Sequence, residues 1–139
     1  VMHVADFVWA EDGEHIFYSL EEHPYPPRKI FRHKLGDDQT KDTLVYEELN
    51  PQWYVALGKS RSRDFIFIYA ANYTTTEVRF LPSREPLKEP ILIAARKKEV
   101  RYYVEHHAEY FYITTNEKAV NYKVMRTPVQ KPEKKNWKA

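Results

Sequence analysis

The chain has 139 residues, no Cys, 3 Gly and 9 Pro, with 42% hydrophobic and 15% aromatic residues. Its net charge of +2, from 22 Lys and Arg interspersed with 20 Asp and Glu, argues against the basic face of a nucleic-acid binder. No apolar run is long enough for a membrane-spanning helix. The length allows one domain with a real core, and 11 Tyr, 7 Phe and 3 Trp suit the pleated, half-buried surface of a sheet. Zero Cys removes disulfides and thiolate metal sites and fits a reducing compartment, so a cytoplasmic location is expected. Val1 to Trp9 lacks the basic start and small-residue cleavage site of a signal peptide.

In chain order, the first predicted strand is Val4 to Trp9. Asp12-Gly13 follows as a type I′ turn signal, leading into the aromatic strand His15 to Ser19. Pro24, Pro26 and Pro27 read as a connection, where their missing donors do little harm. Lys29 to His33 and Thr43 to Tyr46 complete a first set of four. A second set reads Tyr54 to Leu57, Asp64 to Tyr69, Glu77 to Leu81 and Ile91 to Ala94. A third reads Tyr102 to His106, Glu109 to Thr114 and Asn121 to Met125. Within Glu99 to Tyr112, Val100, Tyr103, Val104 and His107 fall at helical spacing, but the aromatic and β-branched content favours strand. Lys131 to Lys138, with four Lys against one Glu, reads as a solvated linker rather than a binding arm.

The three sets are copies of one unit. Aligning Ile16, Phe65 and Tyr110 gives offsets of 49 and 45 residues, and aligning Lys29, Glu77 and Asn121 gives 48 and 44. Four strands at a period in the forties is the pattern of a β-propeller blade. The expected fold is therefore all-β: residues 1–139 as a partial propeller of about three blades, each of three to four antiparallel strands. The repeats span about 1–50, 51–98 and 99–139. Three blades do not close a ring, so exposed sheet faces and weak self-association of the isolated chain are expected.

No residue pattern supplies a catalytic centre. Ser19, Ser60, Ser62 and Ser83 lie outside any Gly-x-Ser-x-Gly elbow, and no plausible base is evident beside Ser60 or Ser62 in their predicted turn. His106 and His107 are adjacent on a strand and point to opposite faces, and His15, His23 and His33 are too scattered for a metal site. Glu21-Glu22, Asp37-Asp38 and Glu47-Glu48 could pair as acid and base, but solvated charge at loops and strand ends is the default. Trp9, Trp53 and Tyr103 read as packing between blades, and Asn72-Tyr73-Thr74 as a chance glycosylation sequon. Three Gly leave no loop able to cradle a phosphate. No catalytic residue, cofactor-binding residue or metal ligand is assigned, and no cofactor is expected.

Several stretches carry a resemblance. His33-Lys34-Leu35-Gly36 followed by Asp42-Thr43-Leu44-Val45-Tyr46-Glu47-Glu48 resembles the H-x-L-G … D-x-L-V-Y-E-E stretch in the propeller of the prolyl oligopeptidase family. Thr76-Glu77-Val78-Arg79-Phe80-Leu81 is similar to the T-S-E-x-R-x-L strand of its oligopeptidase B branch, with Thr76 where Ser is usual. Arg96 with Tyr103-Val104-Glu105-His106, and Phe111 to Asn116 continuing to Ala119, Asn121 and Lys123, resemble further stretches of that branch. The resemblance implies a seven-bladed propeller joined to a C-terminal α/β-hydrolase domain that holds the Ser, Asp and His of a serine peptidase. None of that hydrolase domain is recognised here, so no catalytic residue carries over. It also implies a gating role: the propeller admits short peptides to the hydrolase domain, which cleaves after Lys or Arg, and Tyr54 to Leu57 and Tyr102 to His106 would border the channel. The alternative from fold alone is a stand-alone propeller-type protein-interaction module.

Overall fold

The computed structural model describes residues 2–139 and is built of three antiparallel sheets in succession. The first has the order β1-β2-β3-β4, from Met2–Trp9, His15–Glu22, Tyr25–Lys34 and Thr43–Glu47. The second is β5-β6-β7-β8, from Tyr54–Lys59, Phe65–Ala71, Thr76–Pro82 and Ile91–Ala94. The third comprises β9 (Tyr102–His107), β10 (Tyr110–Thr115) and β11 (Lys123–Pro128), with β10 in the middle. Each strand pairs with the next in sequence, which is the meander of a propeller blade. The chain is part of an all-β propeller.

One hydrogen bond recurs in every sheet and marks the repeat. The Leu35 amide donates to Glu14 O, Ser83 to Asp64 O and Val129 to Glu109 O, at 2.8, 2.8 and 3.0 Å. These equivalences give offsets of 50 and 45, then 48 and 46, so two of the offsets read from the sequence slip. The expected strand from Asn121 begins at Lys123 instead, because the turns Ala119 N to Asn116 O and Tyr122 N to Ala119 O take up those residues. Lys118 and Tyr122 there have φ of 53° and 64°.

Stacking of the sheets explains why β6 is apolar on both faces. Ile66 and Ile68 pack with Phe17 and Ile30 of the first sheet, together with Val55 and Leu81. Phe67 packs with Phe111, Ile113, Tyr102 and Val104 of the third sheet, and Phe65 and Tyr69 join from the periphery. Side chains alternate along a strand, so the run Phe65–Ala71 serves two interfaces at once. Rings concentrate at the second of these: Phe111 meets Phe80 edge-on at 4.9 Å and Phe65 at 5.1 Å. Polar clamps reinforce the first, where Glu11 bonds Lys59 at 2.7 Å and Arg63 at 2.6 Å. Those hydrogen bonds, Lys59 foremost, hold the Glu11 carboxyl at about 2.

Three sequence expectations are corrected. Pro26 and Pro27 lie inside β3, not in a connection; they fall between the Tyr25 and Lys29 pairings with β2, beyond the reach of β4. The turn at Asp12-Gly13 is not type I′. Only Gly13 of the two has positive φ (73°), and Asp12 instead accepts the Glu14 and His15 amides in a five-residue loop. Glu99 to Tyr112 forms strand rather than helix, as its aromatic and β-branched content predicts; its core is the β9–β10 hairpin, turning at Ala108 with φ of 53°. The Lys-rich tail is not a solvated linker. After a 3-10 turn at Lys134–Asn136, Trp137 is buried against Tyr102 with ring centroids 5.5 Å apart. Lys138 then pairs with Arg126 through two backbone hydrogen bonds, on the free side of β11. The indole satisfies its own N–H on Pro132 O at 2.9 Å, as a buried Trp requires.

Candidate functional site

The junction of the second and third sheets carries the densest polar chemistry. Strand β9 pairs with β10 on one side only, which leaves a row of backbone groups open along its other edge. Side-chain hydroxyls of the second sheet fill that row. Thr76 Oγ1 accepts the Tyr102 amide at 2.7 Å and donates to the Tyr102 carbonyl at 2.8 Å. Tyr69 Oη accepts the Val104 amide at 3.1 Å and donates to its carbonyl at 3.4 Å. In return Tyr102 Oη reaches back, accepting the Val78 amide at 2.8 Å and donating to Ala94 O at 2.6 Å. Burial pushes both phenols above the ordinary tyrosine value.

Above this seam, β5 and β9 splay around an open cleft of about 530 Å³. Tyr54, Tyr69, Tyr73 and Tyr103 line it with Arg101. Tyr54 and Tyr103 are 42% and 44% exposed. Tyr103 and Trp9, which the sequence assigns to packing, therefore present their rings to solvent, while Trp53 is buried as expected.

The opposite end of the same seam corrects a second expectation, because Ser62 does have a base beside it. Its Oγ lies 2.7 Å from His106 Nδ1, brought across from β9. The His106 Nε2 proton goes to Ala108 O at 2.6 Å, which leaves Nδ1 as the acceptor of the Ser62 proton. Ser62 Oγ in turn faces the Asp64 amide at 3.2 Å and Ser60 Oγ at 2.8 Å, and with its proton used these two are its donors. Both lone pairs are occupied. The hydroxyl is therefore a buckle between sheets rather than a free nucleophile, which would need an open lone pair aimed at substrate. Sequence reasoning missed this contact because Ser62 and His106 are 44 residues apart.

The remaining flagged residues have structural partners. His33 Nδ1 bonds Asp42 at 2.6 Å, and Tyr18 Oη donates to the other Asp42 oxygen at 2.5 Å. The His and the Asp of the H-x-L-G … D-x-L-V-Y-E-E stretch are thus one contact. Desolvation, then the Asp42 bond, raises the Tyr18 phenol to about 12. His15 bonds Asp12 at 2.6 Å; with Glu14 they bring ligand atoms within 4.8 Å of one another, but those bonds serve the hairpin loop. His106 is buried and His107 exposed, as expected of neighbours on a strand. Ser83 donates to Arg63 O, and Ser19 Oγ is buried without a partner. Asn72 accepts the Thr74 and Thr75 amides and so shapes the β6–β7 turn.

Glu48 departs from the expectation of solvated charge. It is 6% exposed, accepts the Asn50 amide at 3.1 Å and is paired to Arg96. Arg96 also meets Glu77 at 3.0 Å, and its guanidinium lies 3.7 Å from the centroid of the Trp53 ring. Burial raises the Glu48 and Glu77 carboxyls, but the hydrogen bonds, led by Arg96, more than offset it, so both titrate below their ordinary value.

Comparison with known proteins agrees with this architecture. Residues 2–139 match the family described as "Prolyl oligopeptidase, N-terminal beta-propeller domain". "Protease 2" of Moraxella lacunata is 34% identical over 87% of this chain and 18% of its own length. "Dipeptidyl aminopeptidase BI" of Pseudoxanthomonas mexicana is 32% identical over 96% of this chain and 18% of its own. The chain superposes on oligopeptidase B of Leishmania major with a TM-score of 0.86 at 29% identity, covering 93% of this chain and 18% of that one. The chain thus spans just under a fifth of the length of these relatives.

Proposed function

This chain belongs to the prolyl oligopeptidase family, as part of its N-terminal β-propeller domain, and we propose that it serves there as the non-catalytic gate of a serine peptidase. In this reading the repeats at about 1–50, 51–98 and 99–139 are three blades of a longer propeller. Its partner is a C-terminal α/β-hydrolase domain in the same polypeptide, which supplies the nucleophile. The propeller restricts entry to short peptides, a recognised way for a non-reacting part to set specificity. Cleavage after Lys or Arg follows from the oligopeptidase B-like stretches, and a cytoplasmic setting from the lack of Cys.

The observation that carries this reading is the match to the propeller of a peptidase family along the whole of residues 2–139. The test uses the longer protein. A short peptide with an internal Arg should be cleaved after that residue, whereas the same sequence embedded in a stable folded domain should be spared. Equal cleavage of both would overturn the gating role, and a reading frame that leads from Ala139 into no hydrolase domain would make this an interaction module instead.

A further inference from the structure

The cleft between β5 and β9 combines features that nothing in the fold consumes. Among the described residues lining it, Arg101 carries the only formal charge, and it pairs with no carboxylate. Its guanidinium lies at the rim beside the Tyr73 carbonyl, and among the described residues its side chain makes no other hydrogen bond to protein. A guanidinium fork suits a carboxylate, which it binds bidentately. Around it the lining is tyrosine. Tyr54 and Tyr103 are more than 40% exposed, and the Tyr69 and Tyr103 rings lie 6.4 Å apart at 32°. The floor is rigid, since Tyr69 and Thr76 are each tied to both polar groups of a β9 residue. A preformed concave site with aromatic walls and one oriented charge is the usual build of a small-ligand site.

We propose that this cleft binds the free C-terminus of a short peptide, with its carboxylate on Arg101 and its last side chain against Tyr54 and Tyr103. The assignment rests on the peptide-gating reading and adds to it where a peptide end is held. An uncharged tail would leave Arg101 without a counter-ion, and a basic one would be repelled by it. A nucleic-acid strand needs a basic track, whereas a single cation matches a single carboxylate.

The experiment titrates the 139-residue chain with N-acetyl-Ala-Phe as the free acid, and with the same peptide as its amide, following amide and Arg Nε resonances. The acid should bind at least tenfold more tightly than the amide, with shifts at Arg101, Tyr103 and Tyr54. Arg101→Gln should abolish the difference and Arg101→Lys should keep part of it. Tyr103→Ala should weaken the acid severalfold while the fold, judged by melting, is unchanged. Equal binding of acid and amide, no binding of either, or inorganic phosphate competing as strongly as the acid would each overturn the proposal. So would an amidated Asp-containing peptide that binds as tightly as the free acid. Since catalysis plays no part in the readout, failure here would leave the size limit of the longer protein untouched.

Discussion

Tyr69 Oη lies 3.1 Å from the Val104 amide nitrogen and 3.4 Å from the Val104 carbonyl oxygen, so one hydroxyl of the second sheet closes the open edge of the third. Tyr69→Phe keeps the ring and removes that closure, leaving two buried backbone groups unpaired at a typical cost of about 1–3 kcal/mol. Urea unfolding should show a lower midpoint with an unchanged slope. Tyr25→Phe, on a 61% exposed residue, is the control and should be neutral.

Trp137 anchors the tail in the second interface. Trp137→Ala should destabilise the chain by about 3–5 kcal/mol, the range for emptying a large buried ring site. Limited proteolysis should then cut within residues 131–139. Unfolding curves that superpose on wild type would show that the tail is dispensable.

Arg96 pairs with two buried acids, Glu48 and Glu77, and Arg79 is a second partner of Glu77 at 2.9 Å. Their folded-state pKa values lie below the ordinary 4.5, so their contribution to stability is complete above about that pH and is lost as pH falls through the folded values. Stability between pH 7 and pH 3 should therefore drop. Arg96→Ala should cost about 3–5 kcal/mol at pH 7, because it strands the buried Glu48 carboxylate while Glu77 keeps Arg79 at 2.9 Å, and should flatten the acid limb of the curve. An unchanged pH profile in this variant would remove Arg96 from the account.

The Ser62–His106 contact should hold the sheets together without any chemistry. Ser62→Ala should cost about 1 kcal/mol, the usual net value of one hydrogen bond. The purified chain should not turn over an arginyl ester. Turnover that disappears in Ser62→Ala would show the hydroxyl to be reactive.

The first sheet turns an apolar surface outward, with Val4 54%, Phe7 57% and Leu44 46% exposed. Burying even a few hundred Å² of such surface is worth several kcal/mol at roughly 25 cal/mol per Å², against a substantial entropy of association. We expect a weak dimer whose light scattering rises with concentration and falls back in Phe7→Lys. A strictly monomeric chain at high concentration would contradict this.

Much of the fold was legible in short stretches. Aromatic and β-branched runs spaced by polar turns specify strands locally, and their return at a period in the forties specifies the blade, because each copy solves the same local problem. The errors fell where neighbours in space override neighbours in sequence. The burial of Trp137 in a tail that reads as solvated is one such case, whereas the helical spacing of Val100, Tyr103, Val104 and His107 was rightly set aside, since β9 alternates between a face that packs on Phe67 and one that meets solvent.

The amino-acid sequence by itself determined the strand order, the repeat and the family, all of which depend on residues close along the chain or on wording shared with relatives. Only the tertiary structure decided what the polar residues do. Ser62 meets His106, Glu48 meets Arg96, Tyr69 meets Val104 and Trp137 meets Tyr102 only after the sheets stack. All four pairs lie 35 to 48 residues apart, and the first three join neighbouring sheets; the tail contact also forms only once the third sheet is folded. The physical reason is that desolvation makes an unpaired buried polar group costly, so each group's partner is set by which surfaces come together, a property that strand propensity does not encode.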